Sequence, residues 1–321
     1  MSLLAVNGLT VGVPARGGHL EVVGGVSYAV REATVFGIAG ESGSGKTVSV
    51  LALMGLLPRG ASVGGEALFA GSDLLSIRPS RLRRICGREI GVVFQDPMTS
   101  FHPMLSIGRQ MTEHLRHHYG TSRRDARNRA VTLLDEVRIP DPEAALARYP
   151  HEFSGGMRQR IAIAGALMCE PRLLIADEPT TALDVTVQAG ILRLIDRLRR
   201  DRGLSVILIT HDLGVMSAVA DELAIFYGGR IVEEGPAPSL LSAPRHPYTR
   251  ALLDALPHPE LARGAALRGI PGRPAQPGEL PTGCVFHPRC EYAVASCHVH
   301  VPETLRAGDR TFACPVDPFA A

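Results

Sequence analysis

The stretch Gly40-Glu41-Ser42-Gly43-Ser44-Gly45-Lys46-Thr47 has the spacing G-x-x-x-x-G-K-T. Glycines allow the backbone N–H groups of such a loop to point inward at phosphate oxygens, and the positive end of a following helix adds to the attraction. Lys46 supplies a positive charge for the outer phosphates, and the Thr47 hydroxyl supplies a ligand for Mg²⁺. The pattern therefore predicts a loop that binds the phosphate groups of a nucleotide.

The residues on either side of this loop have the patterns of a strand and a helix. Residues 34–39 form a short apolar run that is typical of a buried strand. Residues 48–54 form an apolar run that is closed by Gly55, as at the end of a helix. This is the strand–loop–helix context that the phosphate loop requires.

Further apolar runs predict the rest of the sheet. Residues 173–177 and 205–210 are short and unbroken, as in strands covered on both faces, and residues 185–200 between them have helical spacing. This alternation predicts an α/β fold with a parallel sheet as its core. Residues 1–33 add an antiparallel β part, and residues 223–233 predict a closing hairpin around Gly228-Gly229.

The domain organisation follows from changes in composition along the chain. A polar helical pattern predicts a helical insert at about residues 96–160, within a nucleotide-binding domain over residues 1–235. Prolines then become frequent, which predicts a loop-rich C-terminal extension over residues 236–321. One short helix is expected in this extension, near residues 247–256.

The overall composition is that of an ordinary globular chain. Of 321 residues, 45% are hydrophobic, and the net charge of +2 is too small to argue for nucleic acid as a partner. The arginines in residues 123–129 are interpreted as a solvated helix surface. No window approaches the roughly 18 uncharged apolar residues of a membrane span. No secretory leader is visible, so the chain is expected in the cytosol and without disulfides.

Two acids follow one of the predicted parallel strands. Asp177 ends the apolar run, where a carboxylate can hold Mg²⁺ through a bound water. Glu178 comes next and is placed to orient or deprotonate an attacking water. The alternative is a pair of surface acids at the start of a loop, which is less favoured downstream of Lys46 in an alternating α/β chain.

A second anion site is predicted at the start of another helix. Ser154 is a good N-cap, and Gly155 and Gly156 leave N–H groups exposed at the positive helix end. Two anion sites in one chain suggest a nucleotide held between two chains, each giving one half. The alternative is a simple capped helix.

Two polar residues also stand at strand ends. His211 follows the apolar run 205–210, and Gln95 follows a strand-like run at residues 90–94. Ligands of open α/β sheets bind at the carboxyl ends of strands, so both side chains are candidates to reach the same phosphate. A lone histidine or glutamine is more often structural, and these two gain weight only from the residues around them.

Six features follow one another in an order that one family shares. They are Gly40–Thr47, Gln95, Ser154–Gln159, Leu173–Glu178, Thr181-Ala182-Leu183-Asp184 and Thr210-His211-Asp212. Over residues 1–235 they resemble the phosphate loop, Q-loop, signature, Walker B, D-loop and switch histidine of ABC-type ATPases. The stretches 94–100, 245–250, 270–272 and 283–314 are similar to the ATP-binding subunits of oligopeptide and dipeptide importers.

The resemblance implies a role for each matched residue. ATP and Mg²⁺ are implied to be held by Gly40, Ser42, Gly43, Ser44, Gly45, Lys46, Thr47, Gln95 and Asp177, with Thr47, Gln95 and Asp177 on the metal. The ATP of a second chain is implied to be contacted by Ser154, Gly155, Gly156 and Gln159. Glu178 is implied to be the catalytic base and His211 to stabilise the transition state. Gln95 is implied to sense the γ-phosphate and couple to the membrane subunit, and Asp184 to link the two sites.

One position departs from the family pattern. Val13, beside Pro14, occupies the place where the family usually has an aromatic residue that stacks on adenine. Stacking on adenine is therefore in doubt, and we expect loose selectivity for the base.

The extension holds four cysteines with the spacing Cys284-x5-Cys290-x6-Cys297-x16-Cys314. Four cysteines in a proline-rich, core-poor segment suggest a metal site, although these spacings are wider than those usual for structural zinc. The family resemblance implies a [4Fe–4S] cluster with all four as ligands. Zn²⁺ with His287 or His298, and free thiols, are the alternatives. Cys86 and Cys169 are isolated and are expected to be inert packing residues.

The resemblance as a whole implies ATP hydrolysis that drives import of dipeptides and oligopeptides. The implied partners are a second ABC ATPase subunit in a heterodimer, two transmembrane permeases and an extracytoplasmic solute-binding protein, with no nucleic acid. The implied location is the cytoplasmic face of the cell inner membrane, as a peripheral protein. Alternatives are import of nickel or another small solute, and a soluble ABC ATPase acting on nucleic acid. A metal-sensing module with a silent ATPase is disfavoured by the intact Lys46, Asp177, Glu178 and His211.

Overall fold

A computed structural model describes residues 2–16, 18–96, 100–181, 183–256 and 269–319. Among the residues quoted from the sequence, Pro97, Met98, Thr99 and Ala182 lie outside these ranges. By compactness the chain divides into two units. The first unit contains Met1–Arg31, Val35–Ser76 and Thr210–Ala321, and the second contains Glu32–Thr34 and Ile77–Ile209.

The strands of the described chain are short except for the first two. In chain order they are β1 (Ser2–Ala15), β2 (Gly18–Arg31), β3 (Val35–Ala39), β4 (Ser62–Phe69), β5 (Ser72–Asp73), β6 (Ile90–Val93), β7 (Leu173–Asp177), β8 (Ser205–Thr210), β9 (Glu222–Tyr227), β10 (Arg230–Pro236), β11 (Leu305–Ala307) and β12 (Arg310–Phe312).

The helices fall mainly between β6 and β8. They are α1 (Lys46–Leu53), α2 (Pro79–Arg88), α3 (Ile107–Tyr119), α4 (Arg123–Glu136), α5 (Pro142–Ala145), α6 (Gly155–Ala166), α7 (Val185–Arg202), α8 (Leu213–Val219), α9 (Ala237–Ser242) and α10 (Pro247–Asp254). Within the described ranges, no helix is long and apolar enough to cross a membrane.

The first unit contains an antiparallel sheet in the order β2-β1-β4-β5. It also contains β3, which pairs with β9 in parallel from Phe36–Glu222 to Ala39–Ile225. The strands β9 and β10 form the predicted antiparallel hairpin around Gly228-Gly229, and β12 then β11 extend it. The Phe36 ring of β3 stacks on the Tyr28 ring of β2 at 5.1 Å between centroids, which joins the two groups of strands through the core.

The second unit contains the predicted parallel strands. The strand β7 pairs in parallel with β6 on one side and with β8 on the other. Every residue of β7, Leu-Leu-Ile-Ala-Asp, is buried, because an unbroken apolar run suits a strand covered on both faces. The helices α3, α4 and α5 lie between β6 and α6, as the predicted helical insert requires. The side chains of Arg123, Arg124 and Arg127 are exposed, which agrees with a solvated helix surface.

Three α-helices with different local signals begin where the sequence favours a helix start. The Ser122 hydroxyl accepts a hydrogen bond from the backbone N–H of Asp125 and caps α4. In the extension, α10 begins at Pro247, because proline is well suited to the first helical position. The helix α7 is capped by Asp184, whose carboxylate accepts from the Val187 N–H at 2.9 Å.

One carboxyl group in the first unit titrates far from its ordinary range. Glu234 lies on β10, opposite Ala224 on β9 and Thr311 on β12. Burial, together with the smaller effect of the neighbouring Glu222 charge, raises the pKa of Glu234 from 4.5 to about 7. The folded protein therefore holds this proton more tightly than the unfolded chain does. The resulting stabilisation is complete below pH 4.5 and is lost as the pH rises through 7.

We predict that Glu234→Gln raises the free energy of unfolding at pH 8 by about 1–3 kcal/mol, because it removes a charge that burial disfavours. The gain should shrink towards zero near pH 4.5. Denaturant unfolding at several pH values measures this difference, with the exposed Glu303→Gln as the control that leaves the pH dependence unchanged. An equal change in the free energy of unfolding at pH 4.5 and at pH 8 would contradict the raised pKa of Glu234.

Candidate functional site: the phosphate loop and the acids at the strand ends

The phosphate loop lies between β3 and α1, in the context that the sequence predicts. Its first residue, Gly40, has φ of +148°, and a Cβ there would lie 2.1 Å from the carbonyl oxygen of Phe226. Gly45 has φ of +98° and precedes α1. The Ser44 carbonyl accepts a hydrogen bond from the Gly229 N–H at 3.0 Å. The β9–β10 hairpin therefore holds the loop through its backbone.

The Lys46 side chain is buried and turns back across the mouth of this loop. Its Nζ donates to the carbonyl oxygens of Gly40 at 2.7 Å and Glu41 at 2.8 Å. A third, longer contact joins Nζ to the Ser44 hydroxyl at 3.4 Å. A positive charge is thus held among backbone groups at the start of α1, where phosphate oxygens bind in loops of this kind. Thr47 follows in the first turn of α1.

His211, also in the first unit, stands on a tight turn directly after β8. The Thr210 hydroxyl accepts from the Asp212 N–H at 3.1 Å, and the Asp212 carboxylate caps α8 through the Gly214 N–H at 2.8 Å. These two bonds fix the residues on either side of His211, whose side chain is exposed. The His211 imidazole is therefore exposed directly after β8, on a backbone that two hydrogen bonds hold in place.

In the second unit, Gln95 and Glu178 are brought together from two strand ends. The Gln95 amide donates to one carboxylate oxygen of Glu178 at 2.9 Å. The Thr181 hydroxyl donates to the same oxygen, also at 2.9 Å. The Glu178 N–H bonds the Ile209 carbonyl at 2.9 Å, and its φ of +44° is an uncommon conformation for a side-chain-bearing residue. The carboxylate is thus oriented by two donors on a defined backbone.

Asp177 is the last residue of β7, and its side chain is 5% exposed. Its position at the strand end agrees with the sequence prediction.

Thr181 is a residue of this site that sequence reasoning did not select. It belongs to the stretch 181–184 that resembles a D-loop, and that resemblance implies no contact between its hydroxyl and Glu178. The proximity of Thr181 to Glu178 in the chain is the one signal that could have suggested it.

The predicted second anion site lies at the start of α6, in the second unit. The Ser154 hydroxyl accepts from the Met157 N–H at 3.3 Å and caps the helix. A Cβ on Gly156 would lie 2.6 Å from the Val187 side chain, so glycine permits the close packing of α6 on α7. Ser154 is exposed, as binding to a second chain requires.

Gln159 differs from its neighbours in this segment. Its side chain is 1% exposed, and its Nε2 has no hydrogen-bond partner within the described part of the chain. Contact with the ATP of another chain was implied for this residue by the family resemblance. In this conformation the Gln159 side chain faces the interior of the second unit and is not presented at the surface.

Val13 lies on β1 opposite Leu20 of β2 and is half-buried. The structure gives it no aromatic neighbour at that pairing position on β2. The expected loss of adenine stacking stays a prediction.

The four cysteines of the extension line one small pocket, together with His246 and His287. Burial raises the pKa of three of the thiols, that of Cys290 to about 11, and so favours their protonated form. Across the described ranges, no three His, Cys, Asp or Glu side chains are arranged to hold a metal ion. The metal-bound extension predicted from the sequence is therefore not supported, because the cysteines share a pocket without forming a ligand group. Burial also raises the pKa of Cys86 and Cys169, in agreement with packing roles.

A glycine-rich loop between a buried strand and a helix, with a buried lysine and acids after parallel strands, defines a P-loop nucleotide triphosphatase. Residues 23–181 match the family model described as ABC transporter, and residues 232–297 match the one described as oligopeptide/dipeptide transporter, C-terminal region. The chain belongs to the ABC transporter ATPase family, which confirms the resemblance and the ATPase activity predicted from the sequence.

Relatives match nearly the whole chain. A protein of Brucella abortus (strain 2308), provisionally named a peptide import ATP-binding protein, is 46% identical over 316 residues, which are 98% of this chain and 94% of the relative. The oligopeptide transport ATP-binding protein OppD of Salmonella typhimurium is 43% identical over 312 residues, which are 97% of this chain and 93% of the relative.

Solved structures support the fold. The dimeric ATP-binding cassette MJ0796 bound to ADP and Pi has a TM-score of 0.65 at 25% identity, covering 73% of this chain and 98% of the cassette. The cbiO1 protein of Clostridium perfringens, part of the ABC transporter complex cbiONQ, has a TM-score of 0.64 at 26% identity, covering 75% and 91%. The predicted P-loop ABC ATPase fold is thus confirmed.

We predict that Gly40→Ala weakens binding of Mg-ATP by about tenfold or more, because strain of 1–3 kcal/mol and a backbone clash displace the loop. Gly71→Ala is the matched control: its φ of +80° is also positive, but a Cβ there meets no atom within 4 Å. Titration with a fluorescent ATP analogue measures both affinities. Equal affinities for the two variants would show that the approach to Phe226 does not shape the loop.

Proposed function

We propose that this chain hydrolyses ATP to drive import of dipeptides and oligopeptides through membrane permeases. The observation that carries the proposal is the continuous similarity over 97% of the chain to an oligopeptide transport ATP-binding protein, OppD. It spans both the phosphate loop and the C-terminal region that matches oligopeptide/dipeptide transporters.

The residues of the first unit act on the phosphates in this proposal. Lys46 binds the outer phosphates, the inward N–H groups of the loop bind the others, and Thr47 supplies a hydroxyl ligand to Mg²⁺. Bound Mg²⁺ supplies charge neutralisation for the leaving phosphate. His211 donates a hydrogen bond to the transferred phosphoryl group from its braced turn.

The residues of the second unit act on water. Asp177 and Gln95 contribute to the Mg²⁺ site, and Glu178 orients the attacking water and takes up its proton. Gln95 and Thr181 both donate to one oxygen of the Glu178 carboxylate and so orient the carboxylate. A movement of the Gln95 side chain therefore acts directly on the carboxylate of Glu178, the proposed base.

Two such chains close on two ATP molecules in this proposal. Ser154, Gly155 and Gly156 bind the ATP of the other chain through the start of α6. Asp184 caps the neighbouring helix α7 and links the two sites. What supports this arrangement is the exposed Ser154 beside glycines and the dimeric form of the similar cassette MJ0796.

The partners follow from the same proposal. They are a second ABC ATPase chain in a heterodimer, two transmembrane permeases and an extracytoplasmic solute-binding protein. The chain lies at the cytoplasmic face of the membrane as a peripheral subunit. The likeness to cbiO1, which is part of an ABC transporter complex, supports assembly with membrane subunits.

No step of this cycle passes through a metal at the four cysteines. The [4Fe–4S] cluster rests on the family resemblance alone, with Zn²⁺ as its alternative. Anaerobic purification followed by iron, acid-labile sulfide and zinc analysis decides between them. Stoichiometric iron and sulfide would support the cluster, and stoichiometric zinc would support the alternative. The absence of all three would leave the cysteines as packing residues.

We predict that Glu178→Gln retains binding of Mg-ATP but loses hydrolysis by roughly 10²–10⁴-fold, because a positioned base contributes that factor. Nucleotide titration and steady-state phosphate release measure the two quantities. Glu170→Gln is the matched control, since Glu170 is an exposed surface acid paired with Arg129. Near-normal turnover of Glu178→Gln would contradict the assigned role.

We predict that cells whose only copy of this chain carries Glu178→Gln lose uptake of labelled dipeptides and oligopeptides. Uptake of labelled nickel by the same cells should remain unchanged. Cells with the Glu170→Gln chain should take up both solutes normally. Lost nickel uptake with normal peptide uptake would establish the nickel alternative in place of the peptide proposal. Normal uptake of both solutes would contradict a role in importing either.

A further inference from the structure

Two residues of the C-terminal extension contact the phosphate loop at Glu41. The Arg289 guanidinium forms a two-pronged pair with the Glu41 carboxylate, with N–O distances of 2.6 and 3.0 Å. The Tyr248 hydroxyl accepts a hydrogen bond from the Glu41 backbone N–H at 2.9 Å. Both residues belong to the first unit, as the loop does. One loop residue is thus held at its side chain and at its backbone.

The Arg289 side chain is fixed before it reaches the loop. It is 4% exposed, its Nε donates to the Pro271 carbonyl at 2.7 Å, and a longer contact joins it to the Tyr227 hydroxyl at 3.4 Å. Planar two-pronged pairs of this kind are the stronger class of charge-assisted hydrogen bonds. Arg289 therefore presents its fork to Glu41 in one defined orientation.

Tyr248 is likewise held in place. It is fully buried, and its ring packs on those of Tyr227 at 4.5 Å and Phe286 at 5.2 Å between centroids. Burial raises the pKa of its phenol, and the charge of Glu41 raises it further, so the hydroxyl stays neutral. The neutral hydroxyl accepts the hydrogen bond from the loop N–H and adds no negative charge beside the phosphate loop.

Glu41 places a negatively charged carboxylate in a loop that binds negatively charged phosphate groups. It directly follows Gly40, and its carbonyl oxygen is one of the acceptors for Lys46 Nζ. An unpaired carboxylate at this position would repel the negative charges of ATP. Pairing with Arg289 neutralises the carboxylate and draws it towards the extension.

We propose that Arg289 and Tyr248 are positioning residues of the ATP site, which hold Glu41 so that the loop accepts a triphosphate. Arg289 supplies the neutralising charge, and Tyr248 fixes the loop backbone. The C-terminal extension is then a structural part of the nucleotide site. This inference rests on ATP binding by the loop and is independent of the transported solute.

The test compares the affinity of the full-length chain for Mg-ATP in three variants. Arg289→Met should raise the Kd for Mg-ATP about tenfold or more, since a hydrogen-bonded charge is left unpaired beside the phosphates. Glu41→Gln alone should bind Mg-ATP at least as tightly as the unmodified chain, because it removes a negative charge. The double variant should recover most of the affinity that Arg289→Met loses.

The matched control is Arg245→Met. Arg245 pairs with Asp317, so this ion pair lies within the extension and includes no residue of the phosphate loop, and the Arg245 side chain is 20% exposed. It should lower the melting temperature and leave the Kd for Mg-ATP unchanged. If Arg289→Met does not fold, Arg289→Lys keeps the charge, loses the fork and should raise the Kd by a smaller factor.

An unchanged Kd in Arg289→Met would overturn the proposal. A double variant that binds as weakly as Arg289→Met would also overturn it, because a purely structural role of Arg289 predicts no recovery from Glu41→Gln. Failure of ATP binding in the unmodified chain would count against the assigned nucleotide site itself, which separates the two outcomes.

Discussion

The close approach of Gly40 to the carbonyl oxygen of Phe226 is the constraint on which the nucleotide site depends. Only a residue without a Cβ fits there, and its positive φ turns the chain from β3 into the phosphate loop. Phe226 belongs to β9, and the turn after β9 bonds both the loop and the β2 strand through Gly229. Residues from the N-terminal strand β2 and from the later β9–β10 hairpin therefore both lie against the eight-residue phosphate loop, Gly40–Thr47.

This convergence explains why the C-terminal extension takes part in the first unit. Its helix α10 and the turn at His287–Arg289 place aromatic rings against Tyr227, the residue after Phe226. The same segment delivers Arg289 and Tyr248 to the loop. An extension with few core residues is thus stabilised by packing on the hairpin that supports the phosphate loop.

The second unit is organised by a different constraint, the alignment of parallel strands. Because β6 and β7 pair in register, the residues after each strand emerge side by side, and Gln95 meets Glu178 across 83 positions of sequence. The chemistry of water activation therefore depends on strand order. The uncommon backbone conformation of Glu178 and its bond to Ile209 add precision to the carboxylate position.

The sequence predicted the features that depend on local patterns. The phosphate loop is contiguous, the buried strands are unbroken apolar runs, and the helix cap at Ser154 needs only a few neighbouring residues. The contact between Gln95 and Glu178 could have been inferred from the sequence, because the carboxyl ends of parallel strands lie at the same edge of a sheet. The contact between Arg289 and Glu41 was not, because 248 positions separate them and only the three-dimensional packing of the extension joins them. The clustering of the cysteines suggested a metal site, but sequence spacing could not give the distances that a metal requires, and the described residues show no such ligand group.

The central claim is that this chain is the ATP-hydrolysing subunit of a membrane importer for peptides. The most direct measurement is a pull-down of the Glu178→Gln chain from its native membranes in Mg-ATP, followed by mass spectrometry. The account predicts two multi-span permeases and a second ABC ATPase in the eluate. Ribosomal or nucleic-acid-bound proteins without a permease would contradict it.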